Sequence, residues 1–278
     1  MRHVIKKGQM SNERSLTNYL EDLRLHLVRI IIVVIIITSL CMTFSIRLFD
    51  INGFKFPILQ PDLLNNVAGQ VILFIKENLV PENVTLIQTA PGQVFFAQVY
   101  VAAMLGIILG MPVIIREITA FIGPALHSHE KAVLRKIVIS STGFFLIGCL
   151  FSYFIVIPYV LDFLYTYGES IGVATFFDIS EFVPFVLEFF IAFGLSYQFP
   201  VIMWGTTVSG MVSPVFWRNN LRYFIIIVAI FGAIITPDGS GVTMWFMAGP
   251  MILLYVLGIL FIEKKVKRRR RRTTVKQY

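Results

Sequence analysis

The stretch LVRIIIVVIIITSLCMTFSI, residues 27–46, decides the class of fold, because its twenty residues carry a single charge, Arg29. A helix needs about 20 mostly apolar residues to cross the hydrocarbon core of a bilayer, so this stretch predicts a transmembrane span. The 26 residues before it are mostly polar, and no small-residue cleavage site follows a short apolar region, which argues against a secretory signal peptide. We therefore expect the stretch to remain in the mature protein as its first span.

The rest of the chain has the composition of a membrane protein. Its residues are 56% hydrophobic and only 14% charged, with a mean hydropathy of +0.78, whereas about a quarter of the residues of a soluble domain are charged. Further apolar runs follow at 94–121, 137–165, 182–204, 223–236 and 244–262. The run at 223–236 has only 14 residues, which correspond to roughly 21 Å of helix.

These runs predict an all-α integral membrane protein with six transmembrane helices in a kinked, concave bundle. Kinks are expected at the prolines that lie in or at the ends of the runs, because neighbouring helices can satisfy the freed backbone groups. These prolines are Pro112, Pro158, Pro184, Pro200 and Pro250. Between the first two runs, residues 71–80 have the apolar spacing of a short amphipathic helix, which we place outside the membrane.

Lysine and arginine are distributed asymmetrically between the two sides of such a bundle. With six spans both termini share one side, and 21 of the 24 basic residues lie there, leaving Arg47, Lys55 and Lys76 on the other. Because cytoplasmic segments are enriched in lysine and arginine, we predict cytoplasmic termini and outer segments at 50–91 and 166–181. The predicted organisation is a cytoplasmic segment with an amphipathic helix at 1–26, a six-span domain at 27–262 and a basic cytoplasmic tail at 263–278.

The basic tail has two interpretations. Its sequence KKVKRRRRRTTVK, residues 264–276, resembles patches that bind nucleic acid or anionic lipid. The run begins directly after the last span, however, which favours its role as a topological signal. We therefore expect membrane lipids and no nucleic acid among the partners of the chain.

The sequence carries no arrangement of residues that is typical of an enzyme. It has neither a phosphate-binding loop nor a G-x-S-x-G motif, and the pair His127 and His129 lacks the i, i+4 spacing of a helical zinc site. Cys41 and Cys149 lie inside apolar runs without a partner at metal-binding spacing. We expect no catalytic residue, no cofactor, no metal and no disulfide.

Several segments resemble the TatC family, in the family's order and over nearly the whole chain. YLEDLRLHL at 19–27 is similar to the family's N-terminal amphipathic helix, usually H-L-x-E-L-R-x-R-L, and MPVIIREITAFIGPALHSHEK at 111–131 is similar to its first cytoplasmic loop. Within that loop the pattern A-F-I-G-P-A-L-x-x-H-E is specific. The resemblance continues through IGCLFSYFIVIPYVLDFL at 147–164, FIAFGLSYQFPV at 190–201 and ITPDGSGVTMW at 235–245.

The resemblance implies a function in protein transport. TatC proteins are the core receptors of the twin-arginine translocase and bind, at the cytoplasmic face, signal peptides with two adjacent arginines on folded cargo. They self-associate and assemble with single-span TatA- and TatB-type subunits into a translocase that the proton-motive force drives. The resemblance therefore implies a multi-pass protein of the plasma (inner) membrane that is not an enzyme.

The resemblance also implies a peptide-binding site. Six acids lie on the predicted cytoplasmic side, and the motifs single out two of them, Asp22 and Glu130. Asp22 stands where the family usually has glutamate, so its reach is about one methylene shorter. These acids and Phe121 match the family's twin-arginine contact surface, and carboxylates suit the bidentate geometry of a guanidinium. We expect Arg24 to orient or neutralise the acidic site.

A second set of residues is assigned to intramembrane polarity or partner docking. Gln198 occupies a position where the family often has glutamate, and we expect it to hydrogen-bond a neighbouring helix or a water. Glu188 lies ten residues earlier on the same predicted span, rotated about 80° from Gln198 on an ideal helix. It either supplies an ionisable group or sits at a wetted outer surface. Asp238, in a turn one proline shorter than the frequent T-P-P-D, and Pro57 complete this set.

Three other functions compete with this interpretation. A secondary transporter of a small solute should show internal repeats, and we find no convincing repeat between 27–165 and 182–262. A membrane-embedded enzyme needs clustered intramembrane histidines or acids, of which we place only Glu188 within the membrane. A purely structural subunit would not bind a twin-arginine peptide.

Overall fold

The computed structural model describes the backbone of residues 2–51, 54–80, 84–122, 131–170, 172, 176–208, 210–235 and 241–275. Side chains are described over 20–49, 56–80, 84–121, 137–170, 172, 176–207, 210–235 and 241–264. Helices dominate the fold. In chain order the elements are α1 (Arg2–Thr43), β1 (Phe44–Ile51), β2 (Phe54–Pro61), α2 (Val67–Leu79), β3 (Thr85–Ile87), α3 (Gln93–Ile122), α4 (Lys131–Phe151), a π-helix (Ser152–Val156), α5 (Ile157–Glu169), β4 (Phe176–Asp178), α6 (Ile179–Ser196), α7 (Phe199–Val208), α8 (Pro214–Asn219), α9 (Leu221–Ile235) and α10 (Val242–Val275).

Each predicted apolar run falls on a helix, and the helical membrane fold is confirmed. Within the described chain, five helical segments are long and apolar enough to cross a membrane. These are Leu20–Thr43, Gln93–Phe121, Ile137–Glu169, Ile179–Thr207 and Val242–Lys264. The run at 223–236 corresponds to α9, which has 15 residues, or about 22 Å of helix, less than the roughly 30 Å hydrocarbon core.

The first run does not remain helical to residue 46. α1 ends at Thr43, and the next residues enter β1, which pairs with β2 in an antiparallel hairpin. This hairpin was not predicted, although Asn52-Gly53 between two apolar stretches is a strong hairpin signal. At its other end α1 begins at Arg2, so the amphipathic N-terminal segment and the first span form one continuous helix.

The segment after the hairpin docks on α3 through a capping residue. α2 confirms the amphipathic helix predicted at 71–80, and it buries Ala68, Ile72, Ile75 and Leu79 along one face. Asn66 caps its N-terminus by accepting a 2.8 Å hydrogen bond from the Gly69 N–H, while its amide donates to Gln98 of α3 at 3.1 Å. Asn66 therefore satisfies one free donor of α2 and attaches the helix to α3.

The two predicted outer segments meet in the structure. β3 and β4 pair in parallel, with Thr85 opposite Phe176 and Ile87 opposite Asp178. Asp178 also caps α6 by accepting a 2.8 Å hydrogen bond from the Ser180 N–H, and it accepts from the Thr89 hydroxyl and the Gln93 amide. The Ser180 hydroxyl also donates to this carboxylate at 2.6 Å, and the bonds to Asp178, that one first and the Thr89 bond second, lower its pKa to about 2. The carboxylate thus stays ionised at neutral pH and ties the start of α3 to the start of α6.

α1 and α3 pack closely because α3 carries two glycines four residues apart, in the sequence GIILG at 106–110. A Cβ atom on Gly106 would lie 2.6 Å from the hydroxyl of Thr38 and 2.9 Å from the backbone oxygen of Val34. Gly110 faces Val33 and Ile37 one turn further along. Small residues at this spacing let two membrane helices approach at backbone distance. Since residue 38 meets residue 106 and residue 33 meets residue 110, the two helices run antiparallel.

α4 and α6 cross with comparable closeness, and the regular helix is interrupted before two of the five prolines. A Cβ on Gly148 would lie 2.6 Å from the Phe193 backbone oxygen. The π-helix ends two residues before Pro158, and a turn at Tyr197 and Gln198 separates α6 from α7 just before Pro200. The remaining prolines lie inside helices that continue past them, namely α3, α6 and α10.

The α1–α3 contact predicts a large stability difference between two glycine-to-alanine changes. Gly106→Ala should destabilise the protein by about 1–3 kcal/mol, because the new methyl overlaps a backbone oxygen that cannot move away alone. The control Gly143→Ala, also within a helix, meets nothing within 4 Å and should gain about 0.5–1 kcal/mol from reduced chain entropy. Thermal unfolding midpoints in detergent micelles measure both, and equal midpoints would contradict the close contact.

Candidate functional site

A buried carboxylate joins α1 to α3 beyond the glycine contact. Glu117 of α3 is only 4% exposed. Its Oε2 lies 2.7 Å from Nδ1 of His26 and 3.3 Å from Nη1 of Arg29, both on α1. A buried charge without a partner costs several kcal/mol, so the buried position of Glu117 depends on these side chains. Among the described residues, these are the ion pairs that join two membrane helices.

Helical spacing explains why these side chains meet. His26 and Arg29 are three residues apart on α1, and Glu117 and Phe121 are four apart on α3, so each pair occupies one face of its helix. The His26 and Phe121 rings lie 6.0 Å apart at an angle of 64°, an edge-to-face contact. The His26–Glu117 contact and the aromatic contact together hold α1 against the last turns of α3.

Asp22 lies on the same flank of α1 as this cluster. It precedes His26 by four residues and Arg29 by seven, which are the spacings of one helix face. Its side chain is exposed, whereas Phe121 is half-buried. The structure therefore brings Asp22 and Phe121 to the same end of the α1–α3 pair.

Arg24 lies on the other side of α1. Residues two apart on a helix do not face each other, and no hydrogen bond or ion pair between described residues joins Arg24 to Asp22. Its side chain is exposed. The role of Arg24 in orienting or neutralising the acidic site stays a prediction.

Three other residues belong to the predicted sites. Glu130 and Asp238 lie outside the residues that the structure describes. Pro57 lies in β2, where it stands opposite Leu48 of β1, and it is exposed.

Gln198 lies in the turn between α6 and α7. Its backbone N–H bonds the Leu195 carbonyl at 2.9 Å, so the Gly194 carbonyl loses its usual helical partner. The Gln198 side-chain amide donates to that Gly194 oxygen at 3.3 Å and to the Ser141 carbonyl of α4 at 3.1 Å. The amide thus replaces a missing backbone donor and links two helices where the chain bends.

Glu188 lies within α6, and its side chain is exposed. The 80° rotation expected between Glu188 and Gln198 assumes one regular helix, whereas α6 ends at Ser196 and Gln198 belongs to the following turn. Among the described residues, no hydrogen bond or ion pair reaches the Glu188 carboxylate.

Glu117 and His26 are the residues that sequence reasoning missed. The sequence places Glu117 among the few acids of the predicted cytoplasmic side, but no motif assigned it to the site. Its position four residues before Phe121, on the same helical face, was the available signal. No group of three histidine, cysteine or acidic side chains in the described part of the chain is arranged to hold a metal ion.

The fold and the cluster define a class: multi-pass helical membrane proteins with a charged cluster between the first two long spans. Residues 18–250 match the family described as TatC, Sec-independent protein translocase protein. The TatC protein of Cenarchaeum symbiosum is 47% identical over 257 residues, which cover 92% of this chain and 97% of that protein. The TatC protein of Aquifex aeolicus is 33% identical with the same coverage.

Solved structures agree with the sequence comparison. Two crystal structures of the twin-arginine translocase receptor TatC match the fold with TM-scores of 0.73 and 0.72, at 28% and 30% sequence identity. They cover 88% and 87% of this chain and 98% of each solved chain. The chain belongs to the TatC family and is a component of the twin-arginine protein translocase.

The hydrogen bonds of Gln198 predict that a donor, and not merely polarity, is required at this position. Gln198→Leu leaves the Gly194 and Ser141 carbonyls without this donor and should destabilise the protein by about 0.6–2 kcal/mol. Gln198→Glu should do the same, because an ionised carboxylate has no donor. Thermal unfolding in micelles measures both changes. Gln88→Leu, which removes only a surface bond to Ala90, is the control, and native stability of Gln198→Glu would contradict the assignment.

Proposed function

We propose that the chain is the receptor that binds the two adjacent arginines of signal peptides at the end of the bundle where α1 meets α3. The observation that carries this proposal is the position of Asp22, exposed on the flank of α1 that His26 and Glu117 hold against α3. Glu130, nine residues after Phe121 in the sequence, is assigned the second carboxylate. Two carboxylates then bind two guanidinium groups.

The chemistry of arginine explains the preference for this residue over lysine. A guanidinium presents a planar fork of N–H donors that bonds both oxygens of a carboxylate, whereas an ammonium is a point charge without that geometry. Phe121, half-buried beside His26, offers an aromatic surface on which the peptide next to its arginines can pack.

The proposal extends to the assembled translocase. The receptor function includes assembly with TatA- and TatB-type single-span subunits, self-association, and transport driven by the proton-motive force without catalysis by this chain. We assign Glu188 to partner docking, because an exposed carboxylate on a membrane helix requires a polar partner. Gln198, Asp238 and Pro57 remain in the same set, with Gln198 stabilising the bend between α6 and α7.

We also infer that the chain crosses the membrane six times with both termini in the cytoplasm. The basic residues support this orientation. Two contacts are consistent with this orientation. The pairing of β3 with β4 brings the two predicted outer segments together. The His26–Glu117 pair joins the N-terminal helix to the end of α3, which precedes the loop predicted to be cytoplasmic.

Cysteine labelling of intact cells tests this orientation. A cysteine at Asn65 should react with a membrane-impermeant maleimide, and a cysteine at Arg270 should react only after permeabilisation. The native Cys41 and Cys149 are each 7% exposed. Labelling of the unmodified chain measures their background reaction with the maleimide. Labelling at 270 but not at 65 would overturn the orientation.

Peptide binding tests the receptor function. Asp22→Ala and Glu130→Ala should each weaken the binding of a fluorescent twin-arginine peptide several-fold, because a partly desolvated, charge-assisted bond exceeds the ~1 kcal/mol of an exposed ion pair. Glu130→Gln should behave like Glu130→Ala. Fluorescence anisotropy with the detergent-solubilised chain measures the affinities.

The matched control for this experiment is Glu181→Ala, which removes an exposed acid from the first turn of α6. A peptide with both arginines replaced by lysine should bind weakly to every variant. Full-strength binding of the twin-arginine peptide to the Asp22→Ala, Glu130→Ala double variant would exclude these acids as its binding site.

A further inference from the structure

Few side chains of α1 are buried by its packing against the rest of the bundle. Only 6% of the apolar part of the Leu20–Thr43 span is buried, compared with 39% to 61% in the other long spans. Its tightest contacts with α3 are at Val34 and Thr38, which are about three and four turns from Asp22. Another interaction must therefore fix the orientation of the first turns.

The polar cluster is placed to do this. The 2.7 Å contact from His26 to Glu117 and the 3.3 Å contact from Arg29 lie one and two turns beyond Asp22 on the same flank. The Glu117 side chain has little room to move, because it is buried on α3. Turning α1 away would leave its carboxylate buried without partners, which is costly.

We propose that Glu117 is a positioning residue for arginine recognition: through His26 and Arg29 it sets the rotation of α1 and thereby the place of the Asp22 carboxylate. This inference rests on the receptor function proposed above. A side chain about 6 Å from a helix axis moves about 2 Å when the helix turns by 20°. Hydrogen bonds between guanidinium and carboxylate weaken over such a displacement, so Glu117 determines peptide affinity without touching the peptide.

The two partners of Glu117 contribute unequally. His26 is mostly buried, with 20% of its side chain exposed, and its contact is short, whereas the Arg29 side chain is 61% exposed and its contact is longer. Exposed ion pairs contribute little because water screens them and because long side chains lose entropy. His26 is therefore the principal contact, and Arg29 is secondary.

A double-mutant cycle with peptide binding tests the proposal. Glu117→Ala should weaken binding of the twin-arginine peptide about three- to tenfold and lower its preference over the lysine peptide. In an Asp22→Ala background the same change should have no further effect, because the carboxylate to be positioned is gone. A general loss of structure would weaken both backgrounds and both peptides alike, and that result would overturn the proposal.

Conservative variants distinguish positioning from misfolding. His26→Asn keeps an N–H donor near the position of Nδ1 and should retain most of the affinity, whereas His26→Leu should match Glu117→Ala. Thr119→Ala is the control, because that hydroxyl bonds only the Ile115 carbonyl of its own helix, and it should bind like the native chain. Equal affinities of the His26→Asn and His26→Leu variants would contradict the role of the donor.

A distance measurement reports the rotation directly. Spin labels at Leu25 and Ile118, both exposed positions on α1 and α3, should give a shifted or broadened distance distribution in Glu117→Leu, which keeps a side chain of similar size but has no hydrogen-bond acceptor. Cys41 and Cys149 are replaced in this background so that each chain carries two labels. An unchanged distribution would overturn the proposal even if the affinity falls.

The outcomes also separate this inference from the receptor function. If Asp22→Ala binds the twin-arginine peptide at full strength, the proposed binding site is wrong and the positioning role falls with it. If Asp22→Ala weakens binding but Glu117→Ala does not, the binding site stands and the positioning role alone is overturned.

Discussion

The approach of α1 to α3 at backbone distance is the constraint on which the rest of the structure depends. With no side chain at Gly106, the backbone of α3 reaches Val34 and Thr38 of α1. Once the helices are this close and antiparallel, residues at helical spacing beyond the contact come within reach of each other, and a buried carboxylate on one helix requires partners on the other. The His26–Glu117 pair satisfies that requirement, and it determines which flank of α1 faces the end of α3.

The membrane imposes the same logic elsewhere in the bundle. Where α6 gives way to α7, a backbone carbonyl loses its helical partner within a segment, Ile179–Thr207, that is apolar enough to cross a membrane, and lipid offers no hydrogen bond in its place. The Gln198 amide supplies the donor and reaches α4 as well. In the segments predicted to lie outside the membrane, Asp178 and Asn66 serve as helix caps, and each also joins two elements. These three polar side chains therefore connect neighbouring helices.

Sequence predicts the helices well, because long apolar runs have only one stable form in lipid. It predicts the hairpin and the breaks less well. The β1–β2 hairpin could have been predicted from the Asn52-Gly53 turn signal. The end of α1 at Thr43 could not, because it depends on the pairing of β1 with β2, which a hydropathy pattern does not reveal. The role of Glu117 was not predicted for a different reason, because its partners lie about 90 residues away in sequence. Their contact follows from the rotation of two helices, which composition does not specify. Glu130 and Asp238 remain predictions.

Photo-crosslinking from the peptide tests the central claim most directly, namely that the paired arginines bind where α1 meets α3. A twin-arginine peptide with a photoreactive residue next to its arginine pair is irradiated with the full chain in a lipid nanodisc, and the attachment sites are identified by mass spectrometry. The account predicts attachment within 19–29 and 117–130, which disappears when the arginines are replaced by lysine. Attachment confined to the β1–β2 hairpin, α9 or α10, or attachment at 19–29 that persists with the lysine peptide, would contradict it.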